Sequence, residues 1–226
     1  MHLIFDLDGT LADSRPGILF SLRDAIRQVL HDPMPETLEF SMIEPVRGIL
    51  QKTLRISSQS TLDRLEIAFR VSYDGEGWKM TQLFPGVLET LQQFKSLGIS
   101  LYMVTNKPRI PTGLILNCLG LSQFFLEVVC PDSRQPRFEG KGDSLHYLLD
   151  KYTLKNEQSA YVGDSQEDLF ISDRYGITFI GVEYGYGSFR DLPGPVHLIS
   201  RFPGLLTGLS TWFPKDNGLH PFGGMK

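Results

Sequence analysis

The sequence predicts an α/β fold: a doubly wound parallel sheet that is interrupted near its start by an inserted all-α segment. Three observations support this. An apolar strand opens the chain and ends in aspartates, residues 15–82 show mainly helical patterns, and from residue 83 strands and helices alternate with short connections. Alternating units of this kind form a parallel sheet covered by helices on both faces. We therefore assign residues 1–14 and 83–226 to an α/β core and residues 15–82 to a helical cap.

The first strand leads into a motif that suits chemistry. It is the apolar run Leu3–Phe5, and the sequence DLDGT follows at residues 6–10. A buried strand of a parallel sheet presents the residues at its carboxyl end to the crevice where ligands bind. Asp6 and Asp8 repel each other there unless a cation or a shared proton relieves them. The motif therefore predicts a divalent metal site, with a solvated strand end as the alternative.

The predicted cap begins with a helix in which apolar residues recur at helical spacing from Ile18 to Leu30. A second amphipathic helix covers residues 62–73, and residues 74–77 form a turn. The segment between the helices has only a weak helical pattern, broken at Pro45, so Arg47 is placed in a loop.

The core elements are predicted from alternating apolar runs and amphipathic patterns. The first helix covers Val87 to Leu97 and stops at Gly98. The remaining strands are Ile99–Val104, Phe125–Cys130, Ala160–Val162, Ile177–Val182 and Val196–Ile199, and the helices between them are Arg109–Cys118, Lys141–Tyr152 and Ser165–Tyr175.

Composition excludes several classes of function. The net charge is −4 and no stripe of Lys and Arg appears, which argues against nucleic acid as a partner. No apolar run is long enough to span a membrane, and an active-site acid at position 6 leaves no room for a cleaved leader. Two cysteines in apolar settings and five scattered histidines predict neither a disulfide framework nor a zinc site. We expect a cytoplasmic protein, monomeric or homodimeric.

Polar residues also follow two later strands. Thr105 and Asn106 come directly after the second strand of the core, where they either cap the next helix or bind an oxyanion with the free amides of the helix start. Asp164 and Asp168 follow the strand 160–162, four residues apart, so that both can face one crevice. Asp168 taken alone is also an ordinary helix-stabilising residue.

Together these stretches resemble the motifs of the haloacid dehalogenase (HAD) superfamily, whose members share a Rossmann-type core and are mostly Mg²⁺-dependent phosphohydrolases. The DLDGTL sequence at residues 6–11 resembles the first motif, and the GDSQED sequence at residues 163–168 resembles the acidic motif. The FPGV sequence at residues 84–87 and the GVEYGYG sequence at residues 181–187 look like the phosphoglycolate phosphatase-like branch with a helical cap.

The resemblance implies roles for the acids. Asp6 would be the nucleophile that forms an aspartyl-phosphate, and Asp8 would protonate the leaving alkoxide and later activate water. Mg²⁺ would be held by Asp6, the backbone carbonyl of Asp8 and Asp164, with Asp168 binding directly or through water. The groups that would hold the phosphoryl oxygens are Thr105, Asn106, Lys141 and the amides near Gly9.

The sequence alone does not decide which basic residue lies beside the nucleophile. The family places a lysine after the third strand, but this chain has GKGD at residues 140–143 in place of the usual Lys-Pro-x-Pro form. Lys141 is therefore assigned with Lys107 and Arg137 as alternatives, and a solvated lysine is the plainer reading.

The substrate is the least specified part. A cap inserted after the first strand favours a closed pocket and a small phosphorylated metabolite, phosphoglycolate-like, over a phosphoprotein. Arg47 is either a clamp for a second anionic group of the substrate or a surface residue at a helix break.

The same fold can carry other activities. Dehalogenation is disfavoured because Asp8 serves a leaving alkoxide that a dehalogenase lacks. A sugar-phosphate mutase resembling β-phosphoglucomutase and a non-catalytic binding protein stay open.

Overall fold

The structure is a computed structural model, and it describes residues 1–31, 42, 44–189 and 196–213. The chain divides into two compact units, one comprising Met1–Asp13 with Leu83–Lys226 and the other Ser14–Gln82. Part of the segment with the weak helical pattern, residues 35–41 and 43, and the C-terminal residues 214–226 lie outside the described part.

The core unit is built on a six-stranded parallel sheet, as predicted. The strands along the chain are β1 (His2–Phe5), β2 (Ala12–Asp13), β3 (Gln82–Leu83), β4 (Ser100–Val104), β5 (Phe125–Val129), β6 (Ser159–Gly163), β7 (Thr178–Val182) and β8 (His197–Ile199). Six of these strands form the sheet, in the order β5-β4-β1-β6-β7-β8, and β2 and β3 pair separately as a two-stranded sheet. Phe5 is in register with Met103 of β4 and Val162 of β6. The connections run outward in both directions from β1, which places the switch point of the topology at its carboxyl end.

Helices in order along the chain are α1 (Arg15–Leu30), α2 (Val46–Leu54), α3 (Gln59–Gly75), α4 (Val87–Ser96), α5 (Arg109–Cys118), α6 (Lys141–Lys151), α7 (Gln166–Arg174) and α8 (Gly204–Trp212). Short 3₁₀ helices cover Gly77–Met80 and Asn156–Gln158. No helix among the described residues is long and apolar enough to cross a membrane.

Both faces of the sheet are covered. Neighbouring residues of β1 point to opposite sides, and each side is packed against other elements. Ile4 is buried in a cluster with Leu145 and Leu148 of α6 and Ile171 of α7. The Phe5 ring lies 5.9 Å from the ring of Phe202, just before α8. Since β1 also lies between β4 and β6, its apolar side chains are fully buried.

The other unit, Ser14–Gln82, is helical in the residues that the structure describes, and α1 packs along α3. Its own core contains Leu22 and Ile26 of α1, Leu50 of α2, and Leu65 and Phe69 of α3. The unit therefore has an apolar core separate from that of the sheet.

Two local predictions were wrong, and one helix was missed. Arg47 lies in α2 and not in a loop, since Pro45 is the N-cap of that helix, a place where a missing N–H costs nothing. The turn predicted at residues 74–77 is largely helical, because α3 continues through Gly75 and a 3₁₀ helix begins at Gly77. The helix α8 was not predicted.

Candidate active site

The site begins at Asp6, the first residue after β1. Its backbone N–H donates to the carbonyl of Val162 in β6 at 3.0 Å, and its side chain is buried. Since β4 and β6 flank β1, the residues that follow these strands lie at the same edge of the sheet. Thr105 follows β4 and Asp164 follows β6, so the fold brings three of the predicted site segments together.

Lys141 lies beside the candidate nucleophile. Its Nζ is 2.9 Å from Oδ1 of Asp6 and 2.6 Å from Oδ1 of Asp168, and the residue is only 4% exposed. Lys141 is the first residue of α6, so the start of this helix places the ammonium beside the acidic cluster. Of the two alternatives, Arg137 is exposed and Lys107 binds a different aspartate.

Three buried carboxylates form a candidate metal centre. Asp6, Asp164 and Asp168 each offer an oxygen, and these oxygens lie within 4.8 Å of one another. Mg²⁺ prefers oxygen ligands and is commonly held by one or two carboxylates, so the donor set fits this ion. Asp8, predicted to contribute through its backbone carbonyl, is not one of the three side chains.

Asp164 is held by the loop after β7. The Tyr186 N–H donates to its Oδ2 at 2.6 Å. A Cβ atom at Gly9 would overlap the Asp164 carboxylate, and one at Gly185 or Gly187 would overlap other atoms of Asp164. Glycine at these positions lets the backbone close around the aspartate. The sequence showed these glycines as a motif but not what they contact.

Asp168 is fixed by a capping box at the start of α7. Its Oδ2 accepts from the N–H of Ser165 at 3.1 Å and from the Ser165 hydroxyl at 2.6 Å, and its own N–H donates to that hydroxyl oxygen. The helix-stabilising role that the sequence allowed is therefore real. Its other oxygen, Oδ1, nevertheless contacts Lys141, so the residue serves the helix and the cluster together.

Burial and crowding shift the pKa values of the cluster. Burial raises the pKa of Asp6 to about 8, with Lys141 opposing the rise and Asp168 and Asp164 adding to it. Burial likewise raises the pKa of Asp164 to about 6, against the hydrogen bond from the Tyr186 amide. Burial alone would lower the pKa of Lys141, but Asp168 and Asp6 raise it well above its usual value. One ammonium thus faces three carboxylates, a charge balance that favours a bound cation.

Asp8 has a separate lysine, which the sequence named only as an alternative to Lys141. The Lys107 Nζ lies 2.9 Å from Oδ2 of Asp8. Oδ1 of Asp8 is buried and has no hydrogen-bond partner among the described residues. The only sequence signal for this pair is that Lys107 follows Thr105 and Asn106 at the end of a strand next to β1.

The remaining predicted residues are placed as follows. The Thr105 hydroxyl is buried and accepts the N–H of Lys107 at 3.2 Å. Asn106 is exposed, and its Nδ2 donates to Oε2 of Glu167 at 2.8 Å. Gly9 has a φ of 83°, a left-handed conformation that suits glycine.

Arg47 belongs to the helical unit. On α2, its guanidinium lies 2.7 Å from Asp63 and 3.0 Å from Glu66, and it donates to Gln59 at 2.8 Å. All three partners are on α3. These contacts join the two helices and engage both terminal nitrogens of the guanidinium.

The chain is similar to known proteins over most of its length. The sequence model of the haloacid dehalogenase-like hydrolases matches residues 3–182. The phosphoglycolate phosphatase of Haemophilus influenzae is 28% identical over 191 residues, covering 80% of this chain and 85% of that protein. The tyrosine-protein kinase PtkA of Mycobacterium bovis is 32% identical over 187 residues, covering 82% of this chain and 62% of that protein. Among solved structures, a haloacid dehalogenase-like family hydrolase from Streptococcus pneumoniae matches with a TM-score of 0.81 at 24% identity, over 92% of this chain and 97% of that one.

Proposed function

Because the chain belongs to the haloacid dehalogenase-like hydrolase family and is a phosphatase, we propose that it hydrolyses a small phosphate monoester through an aspartyl-phosphate on Asp6, with Mg²⁺ as cofactor. The observation that carries the proposal is the buried cluster at the end of β1. There Asp6 lies against Lys141 and shares a small volume with Asp164 and Asp168.

Asp6 attacks the phosphorus atom in line with the ester oxygen, forming a P–O bond to the carboxylate as the bond to the leaving oxygen breaks. The nucleophile must be ionised for this step. The Lys141 ammonium at 2.9 Å favours that form against the burial that raises the pKa of Asp6. Mg²⁺ held by Asp6, Asp164 and Asp168 would supply further positive charge for the carboxylates and the phosphoryl oxygens.

Asp8 transfers the protons. It gives a proton to the departing alkoxide and then takes one from the water that hydrolyses the aspartyl-phosphate. Its side chain is 24% exposed, so a substrate can reach it, whereas the side chain of Asp6 is only 9% exposed.

The phosphoryl oxygens are bound by donors at the edge of the sheet. The Thr105 hydroxyl, the Asn106 amide and the backbone amides near Gly9 follow β4 and β1 and are of the kind that hold oxyanions. This requires the Asn106 amide to leave or share its hydrogen bond with Glu167, and the Gly9 N–H to leave or share its bond with the carbonyl of Ala12.

The substrate class rests on the relatives. Among them are phosphoglycolate phosphatases that match over most of their length, which supports phosphoglycolate or a similar small metabolite. Another relative is named a tyrosine-protein kinase, so phosphotyrosine and ATP belong in any substrate panel.

The experiment measures phosphate release from phosphoglycolate, a sugar phosphate and a phosphotyrosine peptide, each with Mg²⁺ and with EDTA. We expect Mg²⁺-dependent release that is fastest with phosphoglycolate and is lost in the Asp6→Asn variant, since the amide is a near-isosteric but poor nucleophile. The matched control Asp173→Asn changes an exposed aspartate on α7 and should keep full activity.

Three results would contradict the proposal. Full activity of a folded Asp6→Asn variant would exclude the covalent mechanism. Isomerisation of the sugar phosphate without net phosphate release would indicate a mutase, and transfer from ATP to the tyrosine peptide would indicate a kinase.

A further inference from the structure

Lys107 and Asp8 form an ion pair, and the proposed function gives Lys107 no role. Nζ of the lysine and Oδ2 of the aspartate are 2.9 Å apart, and the lysine side chain is only 7% exposed. Exposed pairs contribute little to stability and are loosely held, whereas a lysine withdrawn from water needs a firmly placed partner. The geometry of this pair is therefore more constrained than that of a surface contact.

The backbone of Lys107 is held on both sides. Its N–H donates to the hydroxyl of Thr105 at 3.2 Å, and the Thr112 hydroxyl, which donates to the carbonyl of Pro108 at 2.8 Å, also lies 3.4 Å from the Lys107 carbonyl. Both threonines are buried, and Pro108 follows directly as the N-cap of α5. The side chain of Lys107 thus starts from a fixed point at the end of β4.

The backbone of Asp8 pairs with Ala12 in an isolated bridge, but its carboxylate has no comparable anchor. Oδ1 is buried without a hydrogen-bond partner in the described part of the chain, so rotation of the carboxylate is resisted through the contact of Oδ2 with Lys107. Proton transfer requires a carboxylate held within hydrogen-bond reach of the leaving oxygen.

We propose that Lys107 is a positioning residue, which holds the Asp8 carboxylate in the orientation needed for proton transfer to the leaving group. This inference rests on the proposed function and assigns a separate lysine to each of the two aspartates. Lys141 serves the nucleophile Asp6, and Lys107 serves the acid Asp8.

Leaving groups of different basicity test the proposal. An alkyl phosphate such as phosphoglycolate needs a proton on the departing alkoxide, whereas p-nitrophenyl phosphate releases a stable anion without one. The parameter to compare is kcat/KM, because it covers the steps up to irreversible departure of the leaving group. In Lys107→Met we expect kcat/KM to fall about 10²-fold for the alkyl phosphate and to change less than about 3-fold for p-nitrophenyl phosphate.

Two further variants separate this role from a structural one. Lys151→Met removes an exposed lysine that pairs with Glu127 at 2.8 Å, and it should leave both substrates unaffected. In an Asp8→Asn background, adding Lys107→Met should cause no further loss with the alkyl phosphate, since the group being oriented can no longer transfer a proton.

An equal fall with both substrates, or a fall that persists in the Asp8→Asn background, would overturn the proposal and place Lys107 on the phosphoryl group instead. If Lys107→Met fails to melt cooperatively, Lys107→Leu, which also lacks a donor, carries the same comparison. If the wild type hydrolyses neither the alkyl phosphate nor p-nitrophenyl phosphate, the proposed function is overturned, and this inference with it. An active wild type with an equal fall overturns the positioning role alone.

Discussion

The ammonium of Lys141 lies 2.9 Å from the carboxylate of Asp6, although one residue begins α6 and the other follows β1. The lysine also contacts Asp168 at 2.6 Å, and Asp164 completes the cluster. One positive charge therefore serves three buried negative ones. The resulting excess of charge has consequences for stability, for metal binding and for the glycines that surround the acids.

The first prediction concerns pH. The pKa of Asp6 in the folded protein is about 8 against an ordinary value of 3.8, and that of Asp164 is about 6. The folded state therefore binds more protons than the unfolded state between these values, so the free energy of unfolding falls as pH rises from about 4 to 8. Lys141 opposes the effect, while Asp168 and Asp8 strengthen it for Asp6.

Denaturation by urea in EDTA at pH 5, 6, 7 and 8 measures this dependence. Relative to Asp6→Asn, the wild type should lose stability with rising pH by at most about 1.4 kcal/mol per pH unit for one group. The Asp6→Asn variant is the reference because it keeps the other titrating groups. Parallel curves for the two proteins would show that Asp6 does not titrate in this range.

The second prediction concerns the metal. A ligand that binds only the folded state stabilises it by about 2.7 kcal/mol at 100 times its Kd, so Mg²⁺ should raise the Tm of the wild type. Asp164→Asn should reduce this rise sharply, because it removes one of three clustered carboxylates. The control Asp173→Asn changes an exposed aspartate near the end of α7 and should show the full rise. An undiminished rise in Asp164→Asn would exclude that residue from the metal site.

The third prediction concerns Gly9. Its φ is 83°, and a Cβ atom there would overlap Oδ2 of Asp164. Gly9→Ala should therefore cost stability by about 1–3 kcal/mol for the left-handed conformation and also weaken Mg²⁺ binding by displacing the aspartate.

Gly98→Ala is the matched control for Gly9→Ala. The φ of Gly98 is 72°, and a Cβ atom there meets no heavy atom within 4 Å in the described part of the chain. The control should therefore lose a comparable amount of stability from backbone strain alone and keep its Mg²⁺-dependent rise in Tm. Equal Mg²⁺ responses in the two variants would contradict the contact with Asp164.

The sheet and the positions of the acids were predictable because they depend on local patterns. The apolar runs mark the strands, and in a parallel sheet the residues that follow strands meet at one edge. Asp6, Thr105 and Asp164 are identifiable in this way, because each follows a strand of the sheet. The resemblance to a known family then supplied roles that the patterns alone do not contain.

The lysines were not predictable in the same way, because a long side chain reaches a partner that only the tertiary structure selects. The sequence assigned Lys141 only through the family resemblance and kept Lys107 as an alternative, and the structure gives them to Asp6 and Asp8 respectively. The placement of Arg47 in a loop was wrong for a different reason. Pro45 was read as a helix breaker, whereas the same residue type is well tolerated before the first turn of a helix.

The last prediction concerns Arg47, for which the sequence suggested a contact with substrate. Its guanidinium is engaged by Asp63 and Glu66 of α3, so its negative partners already neutralise the charge that an anionic substrate would need. We expect Arg47→Ala to lower the Tm slightly and to leave unchanged the ranking of kcat/KM between phosphoglycolate and a neutral sugar phosphate. The control is Lys52→Ala, which removes another basic residue of α2, paired with Glu44 at 2.9 Å. A selective loss of phosphoglycolate turnover in Arg47→Ala, absent from Lys52→Ala, would instead support the substrate contact and would mean that the arginine exchanges its acidic partners for the substrate carboxylate.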